Sequence, residues 1–213
     1  MLDILKVLVA LSAGYLLGSV NTAVIAGRVR GIDVRAHGSG GAGLANALRV
    51  LGKPAAASVL AGDVLKGLAA CLIGLWIGVY AGGDGIKHCV SLLAAGAGAV
   101  IGHNWPVFFG FKGGKGVLTA VSALMLVDWR MGLICLGAYA VVMALTGYSS
   151  AGSLSAAALF AVLAFTPLFR GGIWFTVYVL FIAATVFVRH KGNIKRLIAG
   201  DENKIWRGLV RRP

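Results

Sequence analysis

The stretch IGHNWPVFFGFKGGKGVLT, Ile101–Thr119, is where a chain of apolar segments abruptly presents glycine and lysine together. Gly113, Gly114 and Gly116 carry no Cβ, so the backbone can turn sharply and approach a ligand closely. Successive N–H groups in such a turn form an anion-binding nest, to which Lys112 and Lys115 add full positive charges. The residues from Val117 onward are apolar, which predicts a helix starting there with its positive dipole end on the same spot. A phosphate or carboxylate fits such a place. The match to the nucleotide-binding pattern GxxxxGK[ST] is poor, because Lys115 is followed by Gly116. The plainer alternative is a flexible basic loop that touches lipid headgroups.

Working outward from this loop, the flanking sequence is that of an all-α integral membrane protein. The chain is 59% hydrophobic and 13% charged, and its 32 glycines suit close helix packing in lipid. A crossing needs about 20 apolar residues. Apolar segments run at about 4–27, 54–80, 89–109, 117–127, 131–147, 152–169 and 172–188. The fourth is short, and Asp128, Arg130, Pro167 and Arg170 interrupt the last ones. The expectation is a bundle of 5–7 transmembrane helices, five if the last four segments merge into two. The whole chain, 1–213, then forms a single polytopic membrane domain. Fifteen of the 20 Lys and Arg residues fall in three stretches: Arg28–Lys53, the Lys112–Lys115 loop, and the tail from Arg189. With either odd count these stretches share one face. Positive charge places that face in the cytoplasm, with the N-terminus outside and the C-terminus cytoplasmic. The net charge of +13 favours anionic lipids and anionic substrates. Nucleic acid is not expected, since no soluble domain carries the charge. The first apolar run is too long, and Asp3 and Lys6 too weak a leader, for a signal peptide. Cys71, Cys89 and Cys135 lack metal spacing and read as reduced packing residues.

The other two basic stretches also carry patterns. Gly38, Gly40, Gly41 and Gly43 surround Ser39, and a helix starting near Leu44 would place Asn46 and Arg49 on one face. A single such loop could be a connector; two on one membrane face point to a shared anion site. Ser19 and Asn21 lie near the end of the first segment, where packing against a neighbouring helix is the favoured role. Asp63 and Lys66 in GDVLKG are spaced as helix neighbours and read as a structural ion pair. His103 either contacts substrate or is a satisfied structural residue. In the tail, Ile194, Leu197, Ile198 and Ile205 form the apolar stripe of a helix lying at the interface, the alternative being a stop-transfer tail.

Three motifs, in this order, resemble those of the bacterial acyl-phosphate:glycerol-3-phosphate acyltransferases, small integral membrane enzymes that make lysophosphatidic acid. GSGGAGLANALR (Gly38–Arg49) is similar to the family's GSGNxGxTNxxR. Gly102–Thr119 matches GHxxPxFxxFKGGKGxxT without a break, and His190–Glu202 matches HxxNIxRLxxGxE. The motif stretches lie in the loops 28–53, 102–119 and 189–213. The resemblance implies that Ser39, Arg49, His190 and Asn193 are needed for activity. It further implies that Gly40, Asn46, His103, Lys112, Gly113, Gly114, Lys115 and Gly116 contribute to substrate binding, and that Glu202 supports structure. The substrates it implies are glycerol 3-phosphate and a long-chain acyl phosphate. No cofactor or metal is expected, and association with the acyl-phosphate-forming enzyme is. The implied setting is the bacterial cytoplasmic (inner) membrane, multi-pass, with the site facing the cytoplasm. Gly41 and Ala45 depart from the pattern, standing where the family has asparagine and threonine.

An acyl phosphate is already activated, so the protein need only orient the acceptor hydroxyl and stabilise charge. The HxxxxD dyad of coenzyme-A-dependent acyltransferases is absent: Ala42, Leu93, Phe108 and Lys195 stand five residues after the four histidines. Arg49, Lys112 and Lys115 are expected to clamp phosphates while Ser39 and Asn193 orient substrate. The hydroxyl proton can go to His190 or to a substrate phosphate oxygen. Rival readings are an anion transporter or channel, against which no inverted repeat is evident, and a scaffold subunit of a lipid-synthesis complex.

Overall fold

The computed structural model describes residues 3–83 and 85–205; the basic residues Arg207, Arg211 and Arg212 of the tail lie outside them. The described chain is helical, with one isolated antiparallel bridge between Tyr80 and Cys89. Five stretches of it are long and apolar enough to cross a membrane: Ile4–Arg28, Lys53–Ile77, Val90–Phe109, Trp129–Thr146 and Gly172–Arg189.

The first stretch is two helices, α1 (Ile4–Ser19) and α2 (Thr22–Arg28). The break has a local cause. Asn21 Oδ1 accepts the Val24 N–H and so caps α2, while its amide donates to the Ala42 carbonyl at 3.3 Å. Asn21 therefore joins the helix to the first glycine loop rather than to a packed helix face. Next come α3 (Leu44–Leu51) and α4 (Lys53–Ile77), separated by Gly52 at φ +82°, and then α5 (Val90–Asn104). The close pairing of α1 with α5 depends on glycine. A Cβ on Gly14 or Gly18 would strike the carbonyls of Ala95 and Ala99, and one on Gly98 or Gly102 those of Leu11 and Tyr15. In lipid, where burial gives little drive for helices to associate, such backbone-to-backbone contact is what holds them.

The second half contains α6 (Val117–Val127), α7 (Trp129–Thr146), α8 (Ser149–Leu163), α9 (Gly172–Arg189) and α10 (Lys191–Ala199). The four apolar segments here do not merge in pairs. Asp128 ends α6 and its carboxylate accepts the Arg130 and Met131 N–H groups, starting α7 one residue later. α6 and α8 are thus separate apolar helices, shorter than the five that are long enough to cross by length and composition. The stripe proposed for the tail is also corrected. α10 stops at Gly200 (φ +77°), and Ile205 folds back to donate its N–H to the Gly147 carbonyl at 2.9 Å. Leu92, Leu124, Met131, Phe160, Phe175 and Val179 are buried in the main core, whereas Trp76, Leu145 and Ile173 face outward. A smaller core of Val24, Val34, Ala42, Ala47 and Val59 sits beneath the first glycine loop.

Candidate active site

The ends of α2, α5 and α9 and the start of α6 meet at one end of the bundle, bringing the three motif stretches together. Each is shaped by its own residues. In the first loop Gly38 and Gly40 adopt φ +62° and +70°. Asn46, on α3, reaches back into this loop. Its Oδ1 accepts the Ser39 N–H at 2.8 Å, and its amide lies 2.8–3.0 Å from the carbonyls of Val34, His37 and Gly41. Asn46 is 3% exposed, and its polar atoms are committed to holding the loop. The Ser39 hydroxyl is left without a protein partner among the described residues.

The second loop turns at Gly110 and Phe111, both in the left-handed region; Phe111, at φ +59°, is the only non-glycine there among the described residues. Gly116, at φ +74°, precedes α6, which begins at Val117 as the apolar pattern predicts. The Gly114 N–H donates to the His103 carbonyl at 3.1 Å, so this amide is not open to an anion. Lys115 and Gly116 keep free N–H groups among the described residues. Below the loop lies a buried cluster. Lys66 Nζ is 2.9 Å from Asp63, 2.8 Å from His103 Nδ1 and 3.0 Å from the Val20 carbonyl, and Thr22 donates to Asp63 at 2.8 Å. The Asp63–Lys66 pair read from spacing is there, and His103, 3% exposed, is its third member. A Cβ on Gly114 would meet the His103 ring.

At the third motif α9 passes into α10 through His190, which is 1% exposed. Its Nδ1 lies 2.8 Å from the Val186 carbonyl. A carbonyl only accepts, so Nδ1 carries the hydrogen and Nε2 keeps a bare lone pair. Burial, reinforced by the Lys115 charge, pushes the His190 pKa down to about 4. Asn193 donates to Glu202 Oε1 at 2.6 Å, Ser150 donates to the same oxygen at 2.8 Å, and Arg196 Nε donates to Oε2 at 2.8 Å. Burial works against the Glu202 charge, but these three hydrogen bonds hold its pKa below the usual value.

These elements enclose a cleft of about 290 Å³. Ser39, Arg49, His190 and Asn193 all line it, as do Asn46, His103, Gly114, Lys115 and Gly116. Gly40, Lys112 and Gly113 do not: Gly40 and Lys112 are exposed beside it, and Gly113 backs the loop against His103 and Pro106. Of the three cations expected to clamp phosphates, Arg49 and Lys115 line the cleft and Lys112 does not. Neither Arg49 nor Lys115 has a hydrogen-bond partner among the described residues. Burial pushes the Lys115 pKa down to about 8, with Glu202 opposing the shift and Arg196, Arg49 and Arg189 adding to it. Burial also lowers the Arg49 pKa, partly offset by Glu202. Away from these groups the cleft turns apolar, running past Leu118 and Val121 on α6, Cys135 and Leu136 on α7 and Ala156 on α8. Cys135, read as a packing residue, is also part of this wall.

Sequence reading missed two arginines. Arg189 was counted only as tail charge, and Arg35 only as linker charge. Arg189 donates to the Gly113 and Gly114 carbonyls at 2.7–3.2 Å and stacks over Trp105 at 5.2 Å. Arg35, held by Asp33, donates to the Phe109 carbonyl at 3.0 Å. Their position, Arg189 just before His190 and Arg35 two residues after Asp33, was the only signal available.

Comparison with known proteins places this arrangement. The sequence profile described as "Glycerol-3-phosphate acyltransferase" matches residues 8–200. A glycerol-3-phosphate acyltransferase of Thermoanaerobacter sp. (strain X514) is 43% identical over 192 residues, covering 90% of this chain and 91% of the relative. One from Clostridioides difficile (strain 630) is 38% identical over 209 residues, covering 96% and 98%. Among solved structures, PlsY (YgiH), an integral membrane glycerol 3-phosphate acyltransferase, superposes in its glycerol 3-phosphate form with a TM-score of 0.86 at 31% identity, covering 96% of this chain and 99% of that one. Its lysophosphatidic acid form gives 0.82 at the same identity. The chain belongs to the glycerol-3-phosphate acyltransferase family.

Proposed function

We propose that this protein transfers a fatty acyl group from an acyl phosphate to the 1-hydroxyl of glycerol 3-phosphate, giving lysophosphatidic acid and inorganic phosphate. The observation that carries the reading is the two-ended cleft. One end offers Ser39, Arg49, Lys115 and the amides before α6, which suit phosphates; the other is apolar, which suits an acyl chain. The family's enzymes act on glycerol 3-phosphate, and an acyl phosphate fits a site with two unpartnered cations and no catalytic carboxylate pair.

In this reaction the acceptor oxygen forms a bond to the acyl carbon. The acyl carbon–phosphate oxygen bond breaks, and its electron pair leaves with phosphate. Arg49 and Lys115 hold the two phosphates and offset the charge gathering on the departing one. Ser39 and Asn193 orient the reactants. The hydroxyl proton goes to a phosphate oxygen of the substrates. Burial and the Lys115 charge disfavour a protonated His190, which favours a phosphate oxygen as the destination of the proton. His190 Nε2 serves as a hydrogen-bond acceptor for the attacking hydroxyl.

The motif end faces the cytoplasm in this reading, with the N-terminus outside and the C-terminus cytoplasmic. The support is the charge distribution, since the positive-inside tendency favours this end for the basic stretches. The membrane is then a bacterial inner membrane, and the acyl phosphate arrives from the enzyme that forms it on the same side. The test is phosphate release by purified protein given palmitoyl phosphate with and without glycerol 3-phosphate, alongside Ser39→Ala. Acceptor-dependent release lost in the variant is expected. Release independent of acceptor, or none, overturns the assignment.

A further inference from the structure

The lysine loop has a weakness built into its sequence. Its Gly113–Gly114 backbone has intrinsic freedom that other residues lack, because glycine populates both halves of the backbone map, although the Gly114 N–H is tied to the His103 carbonyl. A flipped peptide would turn a carbonyl oxygen, a partial negative charge, toward the place where a phosphate must bind. The structure contains a device against this. Arg189 Nη2 holds the Gly113 carbonyl at 3.2 Å and the Gly114 carbonyl at 2.7 Å, and Nε holds the latter again at 3.0 Å. The Trp105 ring under the guanidinium fixes its plane. On the stem of the loop, Arg35 Nη1 bridges the Phe109 carbonyl at 3.0 Å and the Lys112 carbonyl at 3.4 Å. Those two carbonyls flank Gly110 and Phe111, the consecutive left-handed residues, and an aromatic residue keeps that conformation only where its surroundings enforce it. Asp33 accepts from Arg35 through both carboxylate oxygens at 3.0 Å, leaving Nη1 aimed at the loop.

We propose that Arg35 and Arg189 are positioning residues that lock the peptide orientations of the lysine loop for phosphate binding. Neither lines the cleft. The carbonyls of Phe109, Lys112, Gly113 and Gly114 are turned toward the two guanidinium groups. The N–H groups of Lys115 and Gly116 and the Lys115 ammonium are thereby left for the anion. The fork matters as well as the charge, since two adjacent carbonyls are held by one planar group, which a lysine cannot reproduce. The proposal rests on reading the cleft as a phosphate site, and it deepens that reading by naming what sets its selectivity for anions.

The experiment compares wild type with Arg189→Gln, Arg189→Lys and Arg35→Gln. It measures kcat and KM for glycerol 3-phosphate with palmitoyl phosphate, and separately the rise in unfolding temperature given by inorganic phosphate. Arg189→Gln is expected to raise KM roughly ten- to a hundredfold, the worth of one hydrogen bond to a charged group, with kcat at saturation little changed. It should also lose the phosphate-induced rise. Arg189→Lys should recover only part of either effect, and Arg35→Gln should shift KM in the same direction by less. A fall in kcat at unchanged KM would make Arg189 part of the chemistry and overturn the proposal. Full recovery by Lys would show that charge alone acts, which also overturns it. Should wild type release no phosphate from palmitoyl phosphate, the donor assignment fails; the phosphate-stabilisation arm still decides the loop claim, because an equal rise in wild type and Arg189→Gln refutes it.

Discussion

Replacing Glu202 tests how the third motif is held. Its carboxylate gathers three donors, from Asn193 and Ser150 on Oε1 and from Arg196 on Oε2. Glu202 is 6% exposed by side chain and Arg196 38%, so the arginine contact is the most screened of the three. A hydrogen bond to a charged group contributes about 1.5–3 kcal/mol, but the two donors on Oε1 share one oxygen and do not add fully. Glu202→Ala is therefore expected to cost about 3 kcal/mol in all. It also frees the Asn193 amide from its place in the cleft. Because about 1.4 kcal/mol is a factor of ten in rate, the same energy sets a fall of roughly a hundredfold in kcat/KM as its upper bound. Glu202→Gln keeps one acceptor oxygen for Asn193 and Ser150 and should lose roughly tenfold or less. The pH dependence has a definite sign. The folded pKa lies below the unfolded one, so the stabilisation is present above about pH 4.5 and is lost as pH falls through the folded value. The assay is turnover together with thermal unfolding, for both variants, in one detergent. Glu202→Ala retaining more than half of wild-type turnover, or Glu202→Gln proving as damaged as Ala, would refute the hub.

Three shorter predictions follow from the same geometry. Gly114→Ala should abolish turnover, because its Cβ would run into the His103 ring and lie 2.6 Å from the Ala42 carbonyl; Gly41→Asn should be tolerated, since a Cβ there meets only Ser39 Oγ at 3.8 Å. Turnover and unfolding temperature of the two variants, measured side by side, check this. His190→Gln should keep turnover within about tenfold and leave the shape of the pH–rate profile unchanged, because the step near pH ~6 belongs to the substrate phosphate while burial keeps His190 neutral there. A step at 6–7 that the variant removes would restore histidine as the base. Ala156 lines the apolar end one turn above buried Phe160, so Ala156→Phe should shift preference from palmitoyl toward shorter acyl phosphates at unchanged KM for glycerol 3-phosphate. Uniform loss across chain lengths would count against the acyl assignment.

Some features were legible in the sequence because one residue type in one local context has few physical options. Apolar runs of membrane length must be helices, since lipid leaves backbone polar groups no other partner. The start of α6 after Gly116 and the Asp63–Lys66 pair follow from similarly short-range rules. What escaped the sequence has a common physical form. Arg189 and Arg35 find their partners 74 to 77 residues away, and those partners are backbone carbonyls, which every residue possesses. Nothing in a string of letters marks one carbonyl as the one to be held. The Val20–Asn21 break is hidden for a related reason: the apolar run continues through it, and only the reach of Asn21 to Ala42 shows why the helix stops. The family resemblance implies a substrate-binding role for Asn46, and its spacing puts it on one helix face with Arg49. The structure divides them, giving Asn46 to the loop and leaving Arg49 without a protein partner. That division is itself a chemical argument. The polar side chains satisfied by the protein are the frame, and Ser39, Arg49 and Lys115, left without a protein partner beside the cleft among the described residues, are the ones that the proposed phosphate site would use.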